Sequence, residues 1–164
     1  MYEKFGQFID GKWCKSSDNS TYEVINPANE EIIGHASKAT PKDVDRALKS
    51  AQKGLEVWKK TPPWQRSYII RRIADKMREK QDVLAKWMTL EVGKPLAEAK
   101  GEINGAADIF EWNAEETKRI YGQTVESRFE DTRVHVYYQP VGVVAALVPW
   151  NFPLVLSARK ISTA

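Results

Sequence analysis

Between Pro140 and Pro153 the chain reads Pro-Val-Gly-Val-Val-Ala-Ala-Leu-Val-Pro-Trp-Asn-Phe-Pro, and this run restricts the fold more than any other. Val141 to Val148 is continuously apolar, too short for a helix of its own, rich in β-branched residues and edged by Gly and Pro. That pattern predicts a strand buried on both faces, as in a parallel sheet. In open α/β sheets ligands lie just beyond the carboxyl ends of such strands. Here that end carries Pro149, Trp150, Asn151, Phe152 and Pro153. A parallel strand also needs a crossover and a neighbour, which the 11 residues after Pro153 are too few to supply. The run is therefore expected to be the first strand of a dinucleotide-binding sheet whose body lies outside this sequence.

Composition narrows the class without naming it. At 164 residues, 42% hydrophobic and 29% charged, the chain suits an ordinary globular domain. Its net charge of +3 comes from interspersed signs, not from the clustered basic patch that nucleic-acid binding requires. The densest basic stretch, Arg71 to Lys80, contains Asp75 and Glu79 and reads as a solvated helix face. One cysteine excludes an internal disulfide framework and suits a reducing compartment. The first residues, Met-Tyr-Glu-Lys-Phe, lack the apolar core of a signal peptide, and no run reaches transmembrane length. A cytoplasmic protein with neither nucleic-acid nor membrane partners is expected.

Local patterns predict the elements. Asp10-Gly11 between apolar flanks signals a tight hairpin over Phe8 to Trp13. Tyr22 to Asn26 and Glu31 to Ala36 read as short strands joined by a turn at Pro27-Ala-Asn29. Thr40, Pro41 and Asp43 form the start signature of a helix whose apolar face is Val44, Ala47, Leu48, Ala51, Leu55 and Trp58. Thr61-Pro-Pro63 breaks and restarts the chain. A second helix follows through Ile69, Ile70, Ile73, Ala74 and Met77, and a third through Val83 to Leu90, closed by Gly93. Lys94-Pro95 opens a fourth through Leu96, Ala99, Ile103, Ala106, Ala107, Phe110, Ala114 and Thr117, ending at Gly122. Gly101 and Gly105 weaken it, which close packing would explain. Arg133 to Gln139 alternates polar and apolar and reads as an edge strand.

Four stretches taken together carry a resemblance. They are Phe8-Ile-Asp-Gly-Lys-Trp13; Tyr22-Glu-Val-Ile-Asn-Pro-Ala-Asn-Glu-Glu31; Thr89-Leu-Glu-Val-Gly-Lys-Pro-Leu96; and Pro140 to Pro153 followed by Ala158-Arg159-Lys160. Collinear over nearly the whole chain, they resemble the N-terminal portion of the NAD(P)-dependent aldehyde dehydrogenases, in wording most like the succinate-semialdehyde and lactaldehyde branch. The fold implied is α/β. Residues 1–122 would supply hairpins and helices of the cofactor-binding domain, 123–140 a strand of an oligomerisation extension, and 141–164 the first strand and loop of the dinucleotide sheet. The resemblance also implies that the Arg133 and Val141 strands find their partners in the longer chain, leaving apolar faces bare in a shorter one.

The resemblance assigns roles residue by residue. Asn151 would donate its side-chain amide to the oxyanion formed when a cysteine attacks an aldehyde; on pattern alone it reads as a turn asparagine satisfied locally. Leu147, Val148, Pro149 and Trp150 would line the adenosine side of an NAD or NADP pocket, or simply run a core strand into an aromatic anchor. Phe152 would flank the aldehyde channel or pack as plain apolar surface. Arg159 would grip a distal carboxylate on a small aldehyde substrate, or be a solvated helix arginine. Lys160 would support a proton path. Glu91, with the carbonyls of Val24 and Ile25, would form a monovalent-cation site; by itself Glu91 reads as a surface charge at a helix end.

Other candidates carry less. Cys14 has no base or helix N-terminus beside it in sequence to activate it. His35 and His135 stand singly, without a metal or triad motif. Gly93-Lys94-Pro95 is not a P-loop, for no glycine-rich span precedes it. The family's nucleophile and general-base glutamate come from further along the chain, so the 164-residue chain is expected to be inactive alone. Homo-oligomerisation is expected of the complete protein. The rival expectation is a non-catalytic assembly or regulatory partner that pairs through its edge strand.

Overall fold

The structure, a computed structural model, describes residues 5–164. Residues 1–4, the start of the expected 1–122 segment and of the stretch expected to lack a signal-peptide core, lie outside the described residues. Two hairpins open the chain. β1 (Gln7–Ile9) pairs antiparallel with β2 (Lys12–Cys14) across a turn whose Asp10 and Gly11 both have positive φ, the geometry a two-residue hairpin demands. β3 (Thr21–Ile25) pairs antiparallel with β4 (Ile32–Ser37), with a register irregularity between Val24 and Ile25.

α1 (Pro41–Trp58) begins as the sequence indicates. Thr40 Oγ1 accepts from the Asp43 amide, and Asp43 Oδ2 accepts from the Thr40 amide at 3.0 Å. The same carboxylate accepts from the Ser17 amide at 3.1 Å and from Ser16 Oγ at 3.2 Å, tying the first hairpin to the helix. Held by the Thr40 and Ser17 amides, Asp43 has its carboxyl well below the usual range despite burial. The expected apolar face of α1 is only partly covered: Val44, Leu48 and Ala51 are exposed, Ala47 and Leu55 are half-buried, and Trp58 packs against the helical core.

α2 (Pro63–Glu79), α3 (Gln81–Val92) and α4 (Leu96–Glu116) form the core with α5 (Pro153–Ile161). Ile70 and Ala74 of α2 meet Ala106, Ala107, Phe110 and Ala114 of α4 and Ala158 of α5. Ala85 and Met88 of α3 meet Ala99 and Ile103. Alanines on α4 let neighbouring helices approach closely, and Ile103 fills the interior with no exposure. Arg71 and Arg78 stitch α2 to α4 through Glu111 and Asp108 at 2.6–2.7 Å, and Arg71 also pairs with Glu115. Gly93 caps α3 at φ 77°, with its Cα so near Pro27 that a Cβ would lie 2.9 Å from the proline Cγ.

Four expectations change. Gly101 and Gly105 face open space, so close packing does not explain them. α4 stops at Glu116 and gives way to a 3₁₀ turn, Thr117–Arg119, short of Gly122. Gly122 serves a new strand instead, where a Cβ would come 2.5 Å from the Val136 carbonyl oxygen. The alternating strand is shorter than expected and has a partner nearer than the resemblance implies: β6 (Arg133–Val136) pairs antiparallel with β5 (Gln123–Glu126). Residues 141–149 form no hydrogen-bonded strand. A strand is defined by its neighbour, and the described residues bring none alongside. Val141 and Leu147 stand 92% and 82% exposed, the opposite of burial on both faces.

Candidate functional site

The residues singled out after Val148 gather around the N-terminus of α5. Trp150 and Asn151 make a turn, Phe152 caps the helix and Pro153 occupies its first position. Proline there is preorganised and lacks the amide that would be orphaned. The next two amides, of Leu154 and Val155, both donate to Oε1 of Glu102 at 2.9 and 3.2 Å. Glu102 projects from the middle of α4, and its side chain is only 2% exposed. Its other oxygen pairs with Nζ of Lys94, which is itself 9% exposed in the segment between α3 and α4.

Lys94 then reaches the turn. Its ammonium donates to the backbone carbonyl of Asn151 at 3.0 Å and sits 3.7 Å from the centroid of the Phe152 ring. A desolvated ammonium over an aromatic face is attractive. One buried ion pair thus caps α5, holds the Asn151 backbone and seats Phe152. Among the described residues Asn151 is exposed, and its side-chain amide makes no hydrogen bond.

Leu147, Pro149 and Trp150 are exposed and Val148 is half-buried. An apolar surface of this kind suits an adenine ring. The N-terminus of α5, whose backbone amides could otherwise receive an anion, is already filled by the Glu102 carboxylate. Arg159 and Lys160 lie exposed in the last turn of α5, favourably placed for its dipole. Arg159 stands roughly 9 Å along the axis from Pro153.

The remaining candidates lie apart. Val24 is buried and Ile25 exposed in β3, while Glu91 is exposed near the end of α3. The contact of Gly93 with Pro27 brings that end of α3 to the turn following β3. Cys14 has a charged neighbour after all. Arg46 of α1 donates to its Sγ at 3.2 Å, and the thiol donates to the Gln7 carbonyl at 3.2 Å. That contact spans 32 residues and leaves no local pattern. His135 sits opposite Thr124 across β5 and β6, 3.1 Å from its hydroxyl, and His35 lies opposite Glu23. Among the described residues no three His, Cys, Asp or Glu side chains gather as a metal site. None of their helices is long and apolar enough to cross a membrane.

Sequence reasoning missed Lys94 and Glu102. The available signal was a glutamate on the apolar stripe of α4, one residue before Ile103, where only a paired charge is tolerated.

Comparison with known proteins identifies the family. Residues 13–164 match the aldehyde dehydrogenase family. The chain is 46% identical to a glutarate-semialdehyde dehydrogenase of Pseudomonas aeruginosa, over 96% of this chain and 32% of the relative. It is 44% identical to an NADP-linked succinate-semialdehyde dehydrogenase of Escherichia coli, over 95% of this chain and 32% of that one. A crystal structure of succinate-semialdehyde dehydrogenase from Burkholderia pseudomallei superposes with a TM-score of 0.93 at 40% identity, covering 96% of this chain and 33% of that protein. A betaine aldehyde dehydrogenase of Staphylococcus aureus, solved with NAD⁺, superposes at 0.91 with 34% identity, over 97% of this chain and 33% of that one. The chain belongs to the aldehyde dehydrogenase family, and its fold is the N-terminal part of that family's α/β fold. It spans about a third of the length of the relatives it matches.

Proposed function

We propose that this sequence serves as the N-terminal part of an NAD(P)-linked enzyme that oxidises a small carboxylated or hydroxylated aldehyde to the acid, with Asn151 as oxyanion donor. The observation that carries this reading is the uncommitted Asn151 amide on a turn clamped from beneath by a buried ion pair. Catalysis rewards donors fixed in advance where charge develops. When bound, the nicotinamide supplies the hydride acceptor. Leu147, Val148, Pro149 and Trp150 would hold the adenosine side, Phe152 would wall the aldehyde channel and Lys160 would help move the released proton. Val24, Ile25 and Glu91 would hold a monovalent cation.

The test is Asn151→Ala in a complete enzyme bearing this segment. Removing one oxyanion donor should lower kcat by about 10²–10³-fold with little change in dinucleotide affinity. An unchanged kcat refutes the role. The preference for a carboxylated substrate rests on Arg159 and on the semialdehyde names of the relatives. Arg159→Leu should weaken kcat/KM for a semialdehyde acid on the order of 30-fold and leave an uncharged aldehyde of equal length untouched; equal losses make Arg159 structural.

The 164-residue chain alone should reduce neither NAD⁺ nor NADP⁺ with any aldehyde. Its one cysteine, Cys14, is engaged with Gln7 and Arg46 and lies in a different part of the fold from Asn151. Turnover abolished by Cys14→Ser would overturn this. A single free thiol also suits a reducing cytoplasm. A second reading has support in β5 and β6, whose residues are all exposed and whose two-stranded sheet leaves both edges open. Through such an edge the chain would pair with a second copy or a complete homologue. Separate elution of the two at micromolar concentration counts against it.

A further inference from the structure

We propose that Lys94 and Glu102 are positioning residues for Asn151, converting a buried charge on α4 into a fixed orientation of the oxyanion turn. The inference rests on the oxyanion reading of Asn151. Three observations carry it. The pair is buried on both sides, so it cannot be a surface contact of little consequence. Both charges are consumed in the same direction: Glu102 takes the first free amides of α5, and Lys94 takes the carbonyl of Asn151 itself. The turn has little else beneath it, since Trp150 is 78% exposed and the chain before it is unpaired.

A buried ion pair is seldom retained for stability, because apolar residues of like volume do as well. It does impose geometry. An ammonium whose donors go to one carboxylate oxygen and one carbonyl allows the backbone at Asn151 few positions. The asparagine side chain then inherits its direction from a backbone fixed from α4, the most buried helix in the molecule. No proton or electron moves in this scheme; Lys94 and Glu102 act only through Asn151.

The test is a cycle in the complete enzyme. The neutral double variant Lys94→Met/Glu102→Gln removes both charges together, so no orphaned charge is buried. It keeps an acceptor for the Leu154 and Val155 amides. It should lower kcat roughly 10- to 100-fold, the penalty of a reacting group misplaced by about an ångström, with dinucleotide affinity unchanged. In an Asn151→Ala background the same double change should have no further effect on kcat. Lys94→Arg, which preserves the charge and a donor, should recover part of the loss. If Asn151→Ala alone leaves kcat intact, the oxyanion reading fails. If Asn151→Ala lowers kcat but the double change costs as much with or without Asn151, the oxyanion reading survives and the positioning proposal is overturned. In the 164-residue chain, the ¹³C resonance of the Asn151 carbonyl should shift in the double variant while the Leu154 amide stays protected from exchange; an unmoved carbonyl overturns the proposal without any assay of activity.

Discussion

Replacing Glu102 by alanine should destabilise the chain by about 4 kcal/mol, and the figure can be worked from three contacts. Glu102 answers Lys94 and two amides of α5, with its own side chain 2% and that of Lys94 9% exposed. Removing one partner of a buried ion pair costs roughly 3–5 kcal/mol, because the other charge is left without an answer. Each amide left bare adds about 1 kcal/mol or more. The three do not sum fully. Lys94 keeps the Asn151 carbonyl and the Phe152 ring, and water can reach the half-buried Leu154 and Val155, which brings the total back to about 4 kcal/mol. Glu102→Gln retains an acceptor for both amides but still leaves Lys94 without its counter-charge, so roughly 3 kcal/mol is expected. With a urea dependence near 2 kcal/mol per molar, the unfolding midpoint should fall by about 2 M for alanine and about 1.5 M for glutamine. Circular dichroism at 222 nm during a urea titration reads both. An alanine variant within about 0.5 M of the parent, or equal to the glutamine variant, refutes the reasoning.

Other outcomes follow from the same physics. Ile103→Ala should cost about 3–4 kcal/mol by urea titration, since the side chain is fully enclosed and its alanine-rich neighbours cannot collapse into the gap. Gly93→Ala should destabilise by more than the roughly 1 kcal/mol of a left-handed alanine, because the new methyl meets Pro27; a neutral result would place Gly93 outside its αL cap. Asp43 has a lowered folded pKa, so its contribution is complete above the ordinary aspartate range and is lost as pH falls through the lowered value. Asp43→Asn should therefore be less stable at neutral pH and lose less on acidification, in thermal melts between pH 7 and pH 2. Arg71→Met should change stability by less than about 1 kcal/mol, as both it and its glutamates remain over a third exposed.

Elements governed by local chemistry were legible in the sequence. The Asp10-Gly11 turn, the Thr40–Asp43 box, the double-proline break and the Gly93 cap each depend on residues within four positions of one another, and each stands where the pattern puts it. Alanine and isoleucine at helical spacing likewise marked the buried face of α4. What failed needed partners. The Val141 to Val148 run has strand composition but no neighbour, and composition cannot make a ladder. β6 found a neighbour in Gln123–Glu126, four residues with no strong alternation of their own. At the candidate site, Asn151 and its turn are marked out by a motif. Lys94 and Glu102, 57 and 49 residues earlier, are not, because a salt bridge between distant segments leaves no periodic trace.

The segment joining β6 to α5 packs against little, while α5 itself is well seated: Ala158 is buried, Asn113 Nδ2 donates to Ser162 Oγ at 2.9 Å, and Glu102 holds its first turn. α5 is in effect a nine-residue ligand for α4 supplied on a leash. Tethering of this kind presents a group at millimolar effective concentration, and the advantage vanishes when the tether is cut. In the 164-residue chain by itself, a single proteolytic nick among the mostly exposed residues 141–149 would leave every contact of α5 in place and yet turn its docking into a concentration-dependent, two-body association. Dilution alone would then strip the Asn151 turn from the helices that support it.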